Sequence, residues 1–355
     1  MKNPLVILAG IIILGALASA FIIARNPRVA DTAMPTFGFS EKRYAEIAEP
    51  AGFLNTEPLT LGELVGKKVI LVDFLTYSCI NCIRTFPYLN AWYDTYKDQG
   101  LEIVGIHTPE FAFEKDIDNV REALEKYGIE FPIVLDNDYA TWRAYGNNYW
   151  PRKYLIDIEG NIIYDHIGEG AYDETEKKIR EALAERAEKL GESAPTGGAL
   201  AADAMPEAER FAQSPEIYFG SARNERFAEG KRLVSGTQTL TAPDMPVVNA
   251  LYLPGTWNIQ PEYAESVSDG ARIIFRYRAK DVFMVASAES EVEVEVWHDG
   301  VLIGSVRGAD VGEDGIVRIR NEDLYHLVRN PKGEEHTLEL RVRGAGLQVF
   351  TFTFG

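Results

Sequence analysis

The sequence predicts two folded regions in series: an α/β domain with a mixed central sheet between two helical layers, then an all-β sandwich. Two patterns predict this, and one stretch organises them. Between residues 69 and 190, apolar runs of strand length alternate with helical ones. After about residue 214 the period becomes two, with a turn signal every ten residues or so. The organising stretch is Val69-Ile-Leu-Val-Asp73-Phe-Leu-Thr-Tyr-Ser78-Cys79-Ile-Asn-Cys82, which holds the only two cysteines of 355 residues.

Each element follows from local pattern. Pro35, Gly38, Pro50, Gly52 and Pro58 break up residues 29–66, which read as a tether and lead-in. Val69–Leu75 is apolar enough for a strand buried on both faces. Residues 79–99 read as a helix, which Pro87 should kink. Leu101–His107 is a second strand. Phe113, Ile117, Val120, Leu124 and Tyr127 recur at steps of four, three, four and three, one face of a helix. Residues 131–135 make a third strand and 139–145 a short helix. Residues 153–157 and 162–165 form a hairpin around Glu159-Gly160-Asn161. Asp173 and Glu176 look like a capping box opening a charged helix that ends near Leu190.

Residues 191–205, rich in Gly, Ala, Ser and Pro, read as a linker. Beyond it Val292, Val294 and Val296 alternate with glutamates. Leu338, Leu340 and Val342 alternate with charged residues, and Phe350, Phe352 and Phe354 with threonines. The expected division is an anchor or signal at 1–28, the α/β domain at 29–190, a linker at 191–213 and the sandwich at 214–355.

The net charge of −18 argues against nucleic acid, whose phosphates need Lys and Arg. Lys2 precedes residues 5–24, an uncharged run followed by Arg25, Asn26, Pro27 and Arg28. As a helix that run spans about 30 Å, a bilayer's hydrocarbon thickness. It reads as a single anchor, placing the bulk of the chain in the periplasm or outside a bacterial cell. The alternative is a signal peptide cut after Ala18-Ser19-Ala20 and a secreted product.

A strand feeding a C-x-x-C at a helix N-terminus is a redox-active layout, because the helix end stabilises a thiolate there. Cys79 would attack a substrate disulfide; Cys82, one turn further in, would be buried and must lose a proton to release the product. Asp73 is a carboxylate inside an apolar strand. Its burial costs several kcal/mol unless it is partnered, so its pKa should rise, which suits a base acting on Cys82. Glu110, just past the second strand, is a second candidate, since strand C-terminal ends line the site in α/β sheets. Pro151, if cis, leaves flanking backbone groups to pair with an extended substrate. Arg84 and Trp150 are placed to shape substrate access, although core or surface roles fit them equally. No metal is expected, since the five histidines are scattered singly. Trp257, Tyr263, Trp297 and Tyr325 fit a core better than a ligand platform, and no ligand is assigned to the sandwich.

Val-Asp-Phe followed at six residues by C-x-x-C, with a proline five residues after the second cysteine, resembles the thioredoxin superfamily. The resemblance implies that Asp73 is the buried acid, Cys79 the attacking thiol, Cys82 the resolving thiol and Pro87 the helix-kink proline. It also implies that Trp150-Pro151 is the cis-proline loop. The extra helix and strand at 113–135 resemble the insertion of the TlpA/ResA-like, membrane-tethered branch. Thr76-Tyr-Ser-Cys-Ile-Asn-Cys, Gly105-Ile-His-Thr-Pro-Glu-Phe111 and Asn147-Asn-Tyr-Trp-Pro151 resemble the soluble part of DipZ-type proteins. There a thioredoxin-like domain precedes a galactose-binding-like sandwich. The resemblance implies a disulfide reductase of proteins, with apocytochrome c among its substrates. It needs no cofactor beyond a redox-active Cys79–Cys82 disulfide. DipZ proteins usually carry a CcdA-like electron-transfer domain, so a separate membrane protein of that kind is the expected electron donor.

Three other readings stay open. Ile80-Asn81 does not fix the direction of electron flow, so an oxidase or isomerase fits the same layout. Thr76, three residues before Cys79, matches part of a peroxidase motif, but Val72 stands where that motif has proline. A binding module working through the sandwich, with the α/β domain as platform, is the third.

Overall fold

The computed structural model describes residues 42–193, 212–242 and 244–355. The expected anchor and most of the linker lie outside them. Among the described residues no helix is long and apolar enough to cross a membrane.

The α/β region comprises β1 (Gly52–Leu54), α1 (Leu61–Leu64), β2 (Val69–Leu75), α2 (Ile80–Tyr96), β3 (Leu101–His107), α3 (Ile117–Tyr127), β4 (Ile133–Leu135), α4 (Ala140–Tyr145), β5 (Arg152–Ile156), β6 (Ile162–Ile167) and α5 (Tyr172–Leu190). Its sheet runs β1-β4-β3-β2-β5-β6. β2, β3 and β4 are parallel, while β5, β6 and β1 run against their neighbours. β2 is central because all seven of its residues are apolar enough, or well enough paired, to be buried. The two-residue period then decides the site. Val69, Leu71 and Leu75 pack under α2, α3 and α5, and Ile70, Val72 and Phe74 pack against α1 and α4. Asp73 falls in the first set and therefore points beneath the helix that carries Cys82.

Three local expectations change. β1 forms within the lead-in, held by pairing of Gly52 with Leu135 and Leu54 with Ile133; three residues are too few to show a period. The helix expected from Phe113 begins at Ile117, capped by the Asp116 carboxylate, while residues 112–115 form one 3₁₀ turn. Asp173 and Glu176 both lie inside α5 rather than at its N-cap. The buried Glu176 carboxylate also accepts from Trp92 Nε1 at 3.1 Å and Tyr96 Oη at 2.6 Å, and α5 starts after Ala171, whose side chain makes no cap bond.

The C-terminal region is all β. One antiparallel sheet orders Asp323–Arg329, Asp281–Ser287, Gln348–Phe354, Ala264–Ser266, Gly255–Ile259 and Gly236–Leu240, with Ile217–Tyr218 added beside Gln348–Phe354. The other orders Val301–Leu302, Val292–His298, Glu335–Arg343, Arg272–Arg278 and Leu251–Tyr252, with Ile316–Ile319 beside Val292–His298. Inward residues of both, such as Val294, Leu340, Met284 and Phe352, share one core. Trp257 is fully buried in it.

Phe350 leaves the pattern. Val285 pairs with Thr351 and Ala286 with Val349, so Phe350 is the extra residue of a bulge. It turns outward, away from Phe352 and Phe354, and joins Ile80, Phe111, Phe283, Val285 and Leu324 in a separate cluster that ties the two regions together. Its ring meets Phe111, Phe113 and Tyr263 at 4.9–5.2 Å. Phe350→Ala is expected to destabilise the protein by about 3 kcal/mol, the usual cost of emptying an aromatic site. Chemical denaturation of both proteins measures it.

Candidate active site

Cys79 is the N-cap residue of α2 and is partly exposed; Cys82 is fully buried one turn further in, and both are thiols. The helix starts here because Ile83 N–H donates to Cys79 O at 3.0 Å. Burial, the Cys79 thiol and the Asp73 charge push the Cys82 thiol well up, against a backbone hydrogen bond at Thr76. Pro87 sits exposed within α2, which continues through it.

Asp73 has a partner that strand-by-strand reading misses. The antiparallel register of β2 with β5 sets Lys153 opposite it. Both are fully buried, with Nζ 3.4 Å from Oδ1. Among the described residues the ammonium and both carboxylate oxygens meet no well-aligned hydrogen-bond partner. Burial raises the Asp73 carboxyl above the ordinary range, and Lys153 only partly offsets it.

A second buried carboxylate, Glu114, was not singled out in the sequence. It accepts from the hydroxyls of Thr76 and Ser78, the latter at 2.6 Å, and from the backbone N–H groups of Glu110 and Phe111, the latter at 2.9 Å. It thereby holds the loop entering Cys79 to the loop leaving β3. Thr76, the residue behind the peroxidase reading, spends its hydroxyl on this carboxylate. Burial pushes the Glu114 carboxyl up to about 7, against the hydrogen bonds that lower it.

Between about pH 4.5 and 7 the folded chain therefore holds a proton on Glu114 that the unfolded chain has lost. That contribution to stability falls as pH rises across the window and is level above it, a difference of about 3 kcal/mol. Glu114→Gln is expected to abolish it, so stability of the variant minus wild type rises between these pH values in urea titrations. His107 works in the opposite direction and cancels in the difference: burial holds its imidazole down at about 3, so it costs stability as pH falls below 6.5.

Cys79 opens onto a cleft of about 540 Å³ walled by both regions. Glu110, Trp150, Arg84 and Glu169 line one side; Glu216, Tyr218, Arg223 and Thr353 line the other. The Trp150–Pro151 peptide is cis and Pro151 is buried. Trp150 lies on Trp142 with ring centres 4.3 Å apart and donates to Thr108 O at 3.0 Å. Glu110, expected as a candidate base, is tied to the all-β region: Arg223 Nη1 reaches its Oε1 at 2.7 Å and Tyr218 Oη donates to the same oxygen at 2.9 Å. Local sequence could not reveal Arg223, since more than a hundred residues separate the partners.

The aromatics Trp257, Tyr263, Trp297 and Tyr325 do not form one platform. Trp257 is core, Tyr263 meets Phe350, Trp297 lies under the Arg341 guanidinium, and Tyr325 donates to Asn321 O. The fold brings together two histidines that are scattered in sequence: His298 and His336 flank Asp299, with His336 Nδ1 2.7 Å from its carboxylate. Tyr277 and Asn330 occupy their Nε2 atoms. None of these lines the Cys79 cleft.

A mixed sheet of this order, with a C-x-x-C at the start of the helix after its central strand and a cis proline in the cleft beside it, defines a thioredoxin-like dithiol exchange domain. Comparison with known proteins agrees. Residues 30–183 match the Redoxin family model, and residues 214–355 match the model described as a thioredoxin-like C-terminal domain. YkuV of Bacillus subtilis, a thiol-disulfide oxidoreductase, is 31% identical over 140 residues, 39% of this chain and 93% of that protein. ResA of Bacillus thuringiensis, also a thiol-disulfide oxidoreductase, is 31% identical over 147 residues, 40% of this chain and 82% of that protein. Protein DipZ of Mycobacterium tuberculosis is 38% identical over 310 residues, 86% of this chain but 41% of that protein. The chain thus spans about two fifths of the DipZ relatives' length. It belongs to the thioredoxin-like thiol-disulfide oxidoreductase family.

Proposed function

We propose that the chain is a membrane-tethered, extracytoplasmic reductase of protein disulfides, with Cys79 and Cys82 as its redox couple. The observation that carries the dithiol assignment is the asymmetry of the pair: a partly exposed thiol at a helix N-cap facing a cleft, and a fully buried thiol behind it. In the first step the Cys79 thiolate attacks one sulfur of the substrate disulfide. The substrate S–S bond breaks, a Cys79–substrate bond forms and one substrate thiolate leaves. Cys82 then gives up its proton and attacks Cys79 Sγ, releasing the second substrate thiolate. The enzyme loses two electrons and the substrate gains them with two protons. Asp73, beside Lys153 on β2 and close enough for its charge to act on Cys82, would receive the Cys82 proton.

Residues 5–24 would supply the tether, and a CcdA-like membrane protein the electrons. The oxidised, disulfide-bonded thiols of apocytochrome c fit as substrates by likeness to the TlpA/ResA branch. The all-β region would be a galactose-binding-like sandwich, with no ligand assigned. Reduction of a model protein disulfide by wild type and Cys79→Ser tests the proposal: equal rates sink it.

A further inference from the structure

We infer that the all-β region is the second wall of the substrate site and selects extended polypeptide segments that carry a Lys or Arg beside the reacting cysteine. This deepens the dithiol reading above and rests on it. Shape supports the first part. Cys79 lies inside a cleft, with Trp150 and Arg84 on its own side and Ala212, Glu216 and Phe354 facing them from the other region. A wall on that side favours a narrow, extended segment over a broad folded surface. The walls are fixed relative to each other by the Phe350 cluster, by the Arg223–Glu110 pair and by Lys126–Asp323 at 2.6 Å.

Charge supports the second part. Three carboxylates and two guanidiniums line the cleft. Arg223 is held by Glu110 at 2.7 Å, and Arg84 by Glu169 at 3.5 Å. The remaining acid is Glu216. It is an exposed residue, and its carboxylate lies 2.8 Å from Tyr218 Oη, whose single proton it shares with Glu110 Oε1 at 2.9 Å. The Arg223 guanidinium, paired with Glu110, also acts on the Glu216 charge from further off, but among the described residues no Lys or Arg forms an ion pair with Glu216. A cationic side chain carried into the cleft by the substrate would complete the set, and an anionic one would meet the one carboxylate in excess, Glu216, beside two ion pairs.

The test uses the full chain with its dithiol reduced, and two ten-residue peptides. Each carries one cysteine as a mixed disulfide with a coloured thiol; one peptide has lysines and the other glutamates flanking that cysteine. The expected result is a higher kcat/KM for the lysine peptide in wild type. Glu216→Lys should lower that preference by about five-fold or more, what one partly screened charge pair is worth. Glu216→Gln should fall between. Because the readout is a ratio within one protein, a variant that folds less well still reports it. A ratio unchanged across the three proteins overturns the charge selection. Equal kcat/KM for the lysine peptide and for a folded protein with the same flanked disulfide on a rigid surface overturns the extended-chain part. Cys79→Ser separates the two levels: if it still releases the coloured thiol, the dithiol reading itself has failed.

Discussion

Cys79→Ser is expected to reduce disulfide exchange to the uncatalysed rate, and Cys82→Ser to stop the reaction halfway. The two outcomes differ because the two sulfurs occupy different environments. Cys79 is the one that solvent and the cleft reach, and Cys82 has no exposure at all. Without Cys79 no substrate sulfur can be attacked. Without Cys82 the first attack still proceeds, but nothing releases the product, so a covalent enzyme–substrate adduct accumulates. Non-reducing electrophoresis and intact mass measure both. An adduct in Cys79→Ser and none in Cys82→Ser would reverse the assignment.

Lys153→Met should cost about 3–5 kcal/mol of stability, because it leaves Asp73 buried with an uncompensated charge. Part of that cost is relieved by protonation of Asp73, whose carboxyl burial already raises. The double variant Asp73→Leu with Lys153→Met should recover most of the loss, since an apolar pair of similar volume needs no hydrogen bonds in a site that supplies none. Denaturant titrations of the four proteins close the cycle. Function should not recover with stability. Asp73→Asn keeps the shape and removes the proton acceptor, so it should slow the release step and leave the mixed disulfide to accumulate. Loss of stability without that adduct would make the pair structural only.

Much of this was legible in the sequence, for a common reason. Burial on both faces leaves unbroken apolar runs, as in β2, and burial on one face leaves strict alternation, as in Val292–His298. The position of Cys79 at a helix start followed from the strand that leads into it. What was not legible depends on registry or on distant partners. The bulge at Phe350 adds one residue and sends that side chain out of the core pattern into the contact between regions. Lys153 becomes the partner of Asp73 only through the β2–β5 register. Glu114 hides its role because its donors come from two loops and its own position is a single 3₁₀ turn. The unbroken run Asp281–Ser287 did carry a signal: Phe283 and Val285 break the alternation because the outer face of that strand also meets the α/β region.

The most direct test of the whole account is the reduction potential of the Cys79–Cys82 couple, by equilibration of the full chain against thiol buffers of known poise. A protein-disulfide reductase should titrate as a two-electron couple near about −270 mV, the range of thioredoxin. A value near about −120 mV, the range of a strong disulfide donor, would contradict it and reverse the direction of electron flow.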